Sequence, residues 1–185
     1  MKNLTLITGN KGKLADYQRF LKNPIDHHDI DLTEVQSLDL DEVLEHKAKE
    51  AYSILKSPVI IDDTSLEFHA LGRLPGPFIK FFVKEIGNEG ICNLMKNYSD
   101  KSALYTVGIA YFNGKDLKIF KSEMTGKIAD EPKGQDSGVG FGWDSTFVID
   151  GFAKTRAEMS QEEYDQTNGR RNAISKLEEY LETLK

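Results

Sequence analysis

The sequence predicts an α/β fold built around a mixed β-sheet. Three features indicate this class. An apolar strand near the N-terminus is followed directly by a helix. A fully apolar strand at residues 59–61 follows a long helix, and a hairpin is centred on Asn113 and Gly114. Alternating strands and helices favour parallel pairing, whereas a hairpin adds an antiparallel pair. A sheet with both kinds of pair is therefore expected.

The first third of the chain is predicted to alternate strands with helices. In order, the elements are a strand at residues 4–8, a helix with Leu14, Tyr17, Phe20 and Leu21 on one face, a strand at residues 30–35, a helix at residues 41–56 and a strand at residues 59–61. Asp39 or Asp41 is suited to cap the second helix. The last strand is apolar at every position, which is typical of a strand covered on both faces.

The rest of the chain is predicted to add the hairpin and several shorter elements. These are a helix with Ile79, Phe82, Val83 and Ile86, a short helix at residues 89–97, strands at 103–112 and 117–124, a glycine-rich loop at 133–142, a strand at 146–149 and a C-terminal helix with Ile174, Leu177, Leu181 and Leu184. Asn113-Gly114 is a favoured hairpin turn. Ser160 and Glu163 have capping-box spacing, and Asn168-Gly169 is expected to interrupt the helix that they start.

The composition restricts the class of protein. A chain of 185 residues with a net charge of −6 is expected to form one domain, residues 1–185, and its acidity argues against broad nucleic-acid binding. Its single cysteine, Cys92, excludes an internal disulfide and is expected to be a buried small side chain. No apolar run approaches membrane-spanning length, so a cytoplasmic protein that does not bind membranes is expected.

A glycine turn near the N-terminus is the first candidate ligand site. Residues 9–13, Gly-Asn-Lys-Gly-Lys, join the first strand to the first helix. Free backbone N–H groups and the positive end of the helix dipole make such a turn suitable for a phosphate, and two lysines add charge. The spacing is not that of a Walker A motif, so a kinase or motor-type NTPase is not indicated. The alternative is a tight connection without a ligand.

Three acidic residues are candidate metal ligands. Asp62 and Asp63 follow the apolar strand at residues 59–61, and Glu34 lies at the end of the strand predicted at 30–35. Carboxylate oxygens suit Mg²⁺, and ligands gather at strand ends in open α/β sheets. Adjacent strand residues point to opposite faces, so only one of the two aspartates is expected to face the site. The alternatives are that the aspartates cap the next turn and that Glu34 is solvated.

A glycine-rich loop at residues 138–144 is the third candidate site. It carries Phe141, Trp143 and Asp144 among glycines, an arrangement that allows a flat ligand to approach the backbone and stack on an aromatic ring. The alternative is that both aromatic residues belong to the core. Asp136-Ser137-Gly138 has the form of a serine-protease nucleophile, but none of the four histidines has a supporting context.

Taken together, these motifs resemble those of the inosine/xanthosine triphosphate pyrophosphatases, and the resemblance extends over nearly the whole chain. The matching strings are T-G-N-K-G-K at residues 8–13, D-L-T-E-V-Q at 31–36, I-D-D-T-S-L at 61–66, L-G-R-L-P-G-P-F-I-K-F-F at 71–82, G-F-G-W-D at 140–144 and A-E-M at 157–159. Each string is modest alone, and their common order is what carries the resemblance.

The resemblance implies an elongated α/β domain with two lobes and a cleft, a homodimer, and hydrolysis of non-canonical purine nucleoside triphosphates with Mg²⁺. It implies that Glu34 and Asp63 bind the metal and that Asp63 also activates water. The implied substrate-binding residues are Thr8, Gly9, Asn10, Lys11, Gly12, Lys13, Lys47, Thr64, Lys80, Phe141, Gly142, Trp143, Asp144 and Arg170. An ionised Asp144 would accept a hydrogen bond from the N1–H of hypoxanthine, xanthine or guanine and would meet only a lone pair on adenine.

The last segment departs from the family pattern. Where the family usually carries a lysine and a Ser-His-Arg triplet that read the base, this chain has Tyr164 and Asn168-Gly169-Arg170. The triphosphate chemistry is expected to remain while the base preference is open. A pyrophosphatase with a different preferred base and a non-catalytic nucleotide-binding module are the two alternatives.

Overall fold

The computed structural model describes residues 4–135 and 140–184. The seven strands of the described residues are β1 (Leu4–Ile7), β2 (Ile25–His28), β3 (Val59–Phe68), β4 (Pro75–Gly76), β5 (Ser102–Phe112), β6 (Leu117–Ile128) and β7 (Phe147–Ile149). The helices are α1 (Lys11–Phe20), α2 (Leu40–Leu55), α3 (Ile79–Met95), α4 (Gln161–Gln166) and α5 (Gly169–Glu182), with short 3-10 helices at His69–Leu71 and Arg156–Glu158.

All seven strands belong to one mixed sheet. Its order is β2-β1-β3-β5-β6-β7, and β4 pairs with β3. β1 runs parallel to both β2 and β3, whereas the β3–β4 and β6–β7 pairs are antiparallel. The prediction of an α/β fold with a mixed sheet is confirmed.

The parallel register brings three chain segments to one edge of the sheet. Ile7, the last residue of β1, lies beside His28 of β2 and Ile61 of β3. The residues that follow these three positions in the chain are therefore neighbours. They are Thr8 with the glycine turn after β1, Asp29 after β2, and Asp62 within β3.

The described chain divides into two compact units, and β3, β5 and β6 have residues in each. Unit 1 comprises residues up to 63, 107–122 and 169 onward, and unit 2 comprises residues 64–106 and 123–168. The prediction of a single two-lobed domain stays a prediction.

The core of unit 1 lies between helix α2 and one face of the sheet. Leu44 and Ala48 of α2 are fully buried against Val59 and Ile61 of β3. Asp39 caps α2 by accepting a hydrogen bond from the Asp41 backbone N–H. The helix therefore has both the apolar face and the cap that its sequence predicts.

Two strand predictions near the N-terminus were wrong. No strand forms at residues 30–35; the strand is β2 at Ile25–His28, in a segment for which no element was predicted. β2 is an edge strand whose last three residues are exposed, so it lacks the alternation of a half-buried strand. β3 also continues through Asp62 and Asp63 to Phe68, so these aspartates lie within the strand rather than at its end.

Most later elements agree with the prediction. The helix expected in two pieces is one helix, α3, interrupted at Gly87, whose φ of 66° is not helical. Ser160 and Glu163 form the predicted capping box, and the break before α5 falls at Asn168. Cys92 is buried, and burial raises the pKa of its thiol to about 11. Among the described residues, no helix has the length and apolar character needed to cross a membrane.

Removing the Leu44 side chain tests the α2 packing. Leu44→Ala is expected to destabilise the protein by about 2–5 kcal/mol, because it leaves a cavity in a fully buried position. Ile54→Ala is the matched control on the same helix. Ile54 is exposed, so this change is expected to cost about 0.5 kcal/mol or less. Urea unfolding at constant m-value measures the free energy of unfolding of both variants. An equal loss of free energy in the two variants would contradict the packing described for α2.

Candidate functional site

The glycine turn after β1 is held by its own side chains. Asn10 caps α1, and its Oδ1 accepts hydrogen bonds from the backbone N–H groups of Gly12 at 2.8 Å and Lys13 at 3.1 Å. His27 Nε2 lies 2.5 Å from the Thr8 carbonyl oxygen, and because a carbonyl only accepts, the ring donates this bond. Two N–H groups that were expected to be free for a phosphate are thus occupied by the cap.

Gly9 permits a close approach between this turn and the end of β2. A Cβ at Gly9 would lie 2.7 Å from Asp29 Oδ1, closer than side-chain carbons approach a carboxylate oxygen. A larger residue would require the exposed Asp29 side chain to move away from the turn.

The two aspartates of β3 point to opposite faces of the sheet. Val59 and Ile61 pack against α2, and Asp63 continues that alternation and contacts Lys47 of α2. Asp62 lies on the other face, where it contacts Tyr17 of α1 and Arg170 of α5. The sequence-based expectation that the pair is divided between two faces agrees with these contacts.

Asp62 is the centre of a buried charged network. Its side chain has no exposed surface, and its two oxygens receive Lys13 Nζ at 3.1 Å and Arg170 Nε at 2.8 Å. Arg170 Nη1 also donates to Asp16 Oδ2 at 2.8 Å. Burial, followed by the charge of Asp62, raises the pKa of Tyr17 well above its ordinary value, so its hydroxyl stays protonated. The network compensates the cost of burying a carboxylate.

On the opposite face, Lys47 joins the two predicted metal ligands. Its Nζ lies 2.6 Å from Asp63 Oδ2 and 3.1 Å from Glu34 Oε1. Burial alone would lower the pKa of Lys47, but the two carboxylates outweigh burial and raise it. Lys13 Nζ donates to the Asp62 carbonyl oxygen at 2.5 Å and lies 3.9 Å from Asp63 Oδ1. The carboxylates of Asp63 and Glu34 and the ammonium groups of Lys13 and Lys47 are therefore gathered in one cluster.

The donor set around Asp63 fits Mg²⁺. This ion is usually held by one or two carboxylates, with water and substrate phosphates completing its octahedral shell. Glu34 and Asp63 already converge on one cationic nitrogen, and their side chains remain 41% and 21% exposed. Within residues 4–135 and 140–184, no group of three or more His, Cys, Asp or Glu side chains is placed to hold a metal unaided. A fully protein-made cage is thus not found in that part of the chain.

In unit 2, Asp144 is the centre of a second buried network. Its Oδ1 accepts from Arg156 Nε at 2.8 Å, and its Oδ2 accepts from the Phe141 backbone N–H at 2.9 Å and the Tyr164 hydroxyl at 3.0 Å. The Asp144 side chain is only 4% exposed. Three donors from its own unit therefore already engage the carboxylate that was expected to read the base.

The glycines of this loop have separate physical reasons. A Cβ at Gly140 would lie 1.9 Å from Asp144 Oδ2, so only glycine leaves room for the carboxylate. Gly142 has a φ of 79°, a region that side chains other than glycine's rarely adopt. The G-F-G-W-D string at 140–144 therefore describes a loop folded around its own aspartate.

The aromatic residues of the loop form a cluster. The Phe141 and Trp143 rings stack with centroids 5.3 Å apart, and Tyr105 contacts both rings edge-on. Trp143 is 1% exposed and belongs to the core, which was the alternative to stacking on a ligand. Phe141 is only partly buried and is the aromatic residue of the pair with surface left for a ligand.

The predicted site residues thus fall into two groups. Unit 1 contains the turn at residues 8–13, Glu34, Lys47, Asp63 and Arg170, and the structure brings Lys13, Glu34, Lys47 and Asp63 together. Unit 2 contains Thr64, Lys80 and residues 141–144. Lys80 lies over the Phe81 ring at 4.9 Å, and Thr64 is buried. Ser137, Gly138 and Val139, which entered the protease and loop hypotheses, lie outside the described residues.

The contacts of Arg170 favour a different role from the one predicted. Its guanidinium is held by Asp62 and Asp16, so it fastens the start of α5 to β3 and α1. Direct contact with a base stays a prediction that these contacts do not support. The physical reason is that a guanidinium paired with two carboxylates has fewer donors left for a ligand.

Sequence reasoning missed four contributing residues. They are Tyr17, His27, Arg156 and, as a partner of Asp144, Tyr164. Tyr17 was interpreted as part of the apolar face of the first helix, and His27 was one of the four histidines for which no supporting context was found. Arg156 lies directly before the A-E-M string at residues 157–159, but its burial is visible only in the folded chain, so no local pattern indicated its role.

Comparisons with known proteins agree with these motifs. The model of the Ham1 family matches residues 4–180. "Inosine triphosphate pyrophosphatase 2" of Trypanosoma cruzi is 38% identical over 182 residues, covering 96% of this chain and 91% of the relative. The inosine triphosphate pyrophosphatase of Scheffersomyces stipitis is 37% identical over 196 residues, covering 98% of each chain.

A solved structure extends the similarity to the fold. The Staphylococcus aureus Ham1 protein has a TM-score of 0.84 and 30% identity, covering 99% of this chain and 100% of that one. These matches confirm the resemblance that was inferred from the order of the motifs. Since both the family model and the relatives span nearly the whole sequence, the chain belongs to the Ham1 family.

Proposed function

We propose that this chain is a Mg²⁺-dependent nucleoside triphosphate pyrophosphatase that hydrolyses ITP, XTP and dITP to the monophosphate and pyrophosphate. The inosine triphosphate pyrophosphatases among its relatives support the substrate class. The observation that carries the proposal is the cluster in which Lys47 contacts both Glu34 and Asp63 while Lys13 lies beside Asp63. The implied homodimer and cytoplasmic location stay predictions.

The cluster has the charges that a triphosphate requires. Lys13 and Lys47 supply positive charge to phosphate oxygens, and the other proposed triphosphate ligands are the turn at residues 8–13, Thr64 and Lys80. Because Asn10 already caps Gly12 and Lys13, the lysine ammonium groups are the stronger phosphate ligands of the turn.

Glu34 and Asp63 are the residues that would hold Mg²⁺. When bound, the ion would neutralise phosphate charge and increase the acidity of a coordinated water. Lys47 is the counter-ion of these two carboxylates in the present structure and keeps them together. The pair is thereby preorganised to bind a divalent cation.

Asp63 is the proposed general base. Its carboxylate is partly exposed, so water can reach it, and we propose that it accepts a proton from the water that attacks the α-phosphorus. Breaking the bond between the α-phosphorus and its bridging oxygen releases pyrophosphate and leaves the monophosphate. Lys13 and Lys47 offset the negative charge that develops on the leaving group.

The base is proposed to contact the loop at residues 140–144. Phe141 offers a partly exposed ring on which any base can stack. A second candidate function is the same hydrolysis with a different preferred base. It is favoured by Tyr164 and Gly169 at the family's base-reading positions and by the engagement of Asp144 with Arg156 and Tyr164.

The identity of the products tests the reaction. ITP and Mg²⁺ are expected to give inosine monophosphate and pyrophosphate, and orthophosphate is expected only after inorganic pyrophosphatase is added. In ¹⁸O-labelled water, the label is expected in the monophosphate because attack is at the α-phosphorus. Mass spectrometry of both products measures this. Label in pyrophosphate, or orthophosphate as the first product, would rule the mechanism out.

Replacing Asp63 tests the assignment of the carboxylate. Asp63→Asn is expected to lower kcat by at least about a hundredfold, because it removes a metal ligand and the proton acceptor. Asp26→Asn, the same chemical change at an exposed position of β2, is the matched control and is expected to leave kcat unchanged. Steady-state kinetics with ITP compare the two, and near-normal turnover of Asp63→Asn would show that the base is another residue.

A substrate panel separates the two candidate functions. If the first is correct, kcat/KM for ITP, XTP and dITP is expected to exceed that for ATP by about tenfold or more, since mismatched polar groups at a base cost binding energy. The panel comprises these four compounds, the remaining common triphosphates and oxidised purine triphosphates. A higher kcat/KM for a nucleotide outside the first three would favour the second function.

A further inference from the structure

We propose that Arg156 is a positioning residue for the base-binding loop, acting through Asp144. It would fix the Asp144 carboxylate, and Asp144 would in turn fix the backbone and rings of residues 140–144. This inference rests on the proposed function only for the statement that the loop contacts the base. The packing it describes is independent of any substrate.

The Arg156 guanidinium contacts several different groups of unit 2. Its Nε donates to Asp144 Oδ1 at 2.8 Å, and its Nη1 donates to the Thr167 carbonyl oxygen at 2.8 Å. The guanidinium carbon also lies 4.3 Å from the Tyr164 ring centroid and 5.6 Å from that of Phe141. One guanidinium therefore contacts the aspartate, a loop aromatic ring and the segment that follows α4.

Stability alone is a poor reason for this arrangement. Arg156 is 1% exposed, and its Nη2 is buried without an acceptor among the described residues. A buried ion pair with an unsatisfied donor contributes little to folding, and apolar residues of similar volume often replace such a pair without loss of stability. What the pair does provide is a single orientation for Asp144.

The carboxylate oxygens of Asp144 connect the orientation of this side chain to the loop. Its Oδ2 accepts from the Phe141 backbone N–H, and it occupies the space that a Cβ at Gly140 would fill. The Asp144 carboxylate thus contacts the loop at its first two described residues and fixes where the Phe141 ring lies. With three donors engaged and little exposure, Asp144 is better placed to hold the loop than to bind a base directly.

Tyr164 also helps to hold the Asp144 carboxylate in place. Burial, followed by the charge of Asp144, raises the pKa of Tyr164 well above its ordinary value, so its hydroxyl donates to Oδ2 throughout the physiological range. Tyr164 thus adds an uncharged donor to Asp144. The positive charge beside this carboxylate comes from Arg156.

Arg156→Gln tests the proposal, since glutamine keeps a polar side chain but removes the charge. KM for ITP is expected to rise by about tenfold or more while kcat changes by less than about threefold, because uniform binding is lost and the reacting groups are untouched.

Trp143 is the only tryptophan of the chain and lies in the loop, so its emission reports the loop directly. Acrylamide quenching of Trp143 is expected to increase without nucleotide present.

Base selectivity distinguishes positioning from direct reading. Asp144→Asn and Arg156→Gln are both expected to lower kcat/KM for ITP and ATP by similar factors, within about threefold, because stacking tolerates any base. If Asp144 instead accepts the N1–H of the base, Asp144→Asn would raise kcat/KM for ATP relative to ITP by about tenfold or more. That result would overturn the proposal.

Two further variants keep the test decisive. Tyr164→Phe removes one donor to Asp144 without burying a new charge, and it is expected to raise KM and Trp143 quenching in the same direction by a smaller factor. It decides the question if Arg156→Gln does not fold. Lys154→Gln, which breaks a partly exposed ion pair with Glu163 in the same segment, is the control and is expected to change neither quantity.

The outcomes separate this proposal from the proposed function. Failure of the wild-type protein to hydrolyse ITP would end the proposed function, and the quenching comparison would still test the Arg156–Asp144 pairing. Unchanged quenching and unchanged KM in both Arg156→Gln and Tyr164→Phe would overturn the positioning role, even in a protein that hydrolyses ITP normally.

Discussion

The alternation of side chains along β3 is the constraint on which the candidate site of unit 1 depends. Because neighbouring strand residues face opposite ways, Asp62 and Asp63 are assigned different partners by geometry alone. Asp62 is buried with Arg170 and Tyr17, whereas Asp63 faces Lys47 and Glu34 and keeps exposed surface. One carboxylate is thereby committed to structure, and its neighbour remains available for chemistry.

Lys13 connects these two faces. Its ammonium contacts the Asp62 side chain and carbonyl oxygen and approaches Asp63 from the same position. The parallel register of β1 and β3 makes this possible, since it places the end of β1 beside Asp62. A lysine at the start of α1 therefore reaches the middle of β3 without a long loop. The Arg170–Asp62 pair then fixes the carboxylate to which Lys13 is attached.

Local patterns in the sequence predicted much of the fold and part of the site. The apolar spacing of α2, the hairpin turn and the Ser160–Glu163 capping box all act over a few residues, so they can be recognised in one sequence. β2 could not be recognised because an edge strand with exposed side chains shows no alternation. Carboxylates near lysines were identifiable by type, but their pairing was not, because Arg170 and Asp62 are 108 positions apart.

The same limit explains why the sequence indicated only a base contact for Asp144 and not its partners within the fold. Its motif gives the residue types of the loop, and an acid beside aromatic rings suggests a base contact. Only the folded chain shows that Arg156 and Tyr164 approach that acid from outside the motif. Gly140 then has a concrete meaning, since any side chain there would displace the carboxylate. The G-F-G-W-D string at residues 140–144 therefore reflects, in part, a loop that folds around the buried Asp144 carboxylate. The residues that position this carboxylate, Arg156 and Tyr164, lie outside the string.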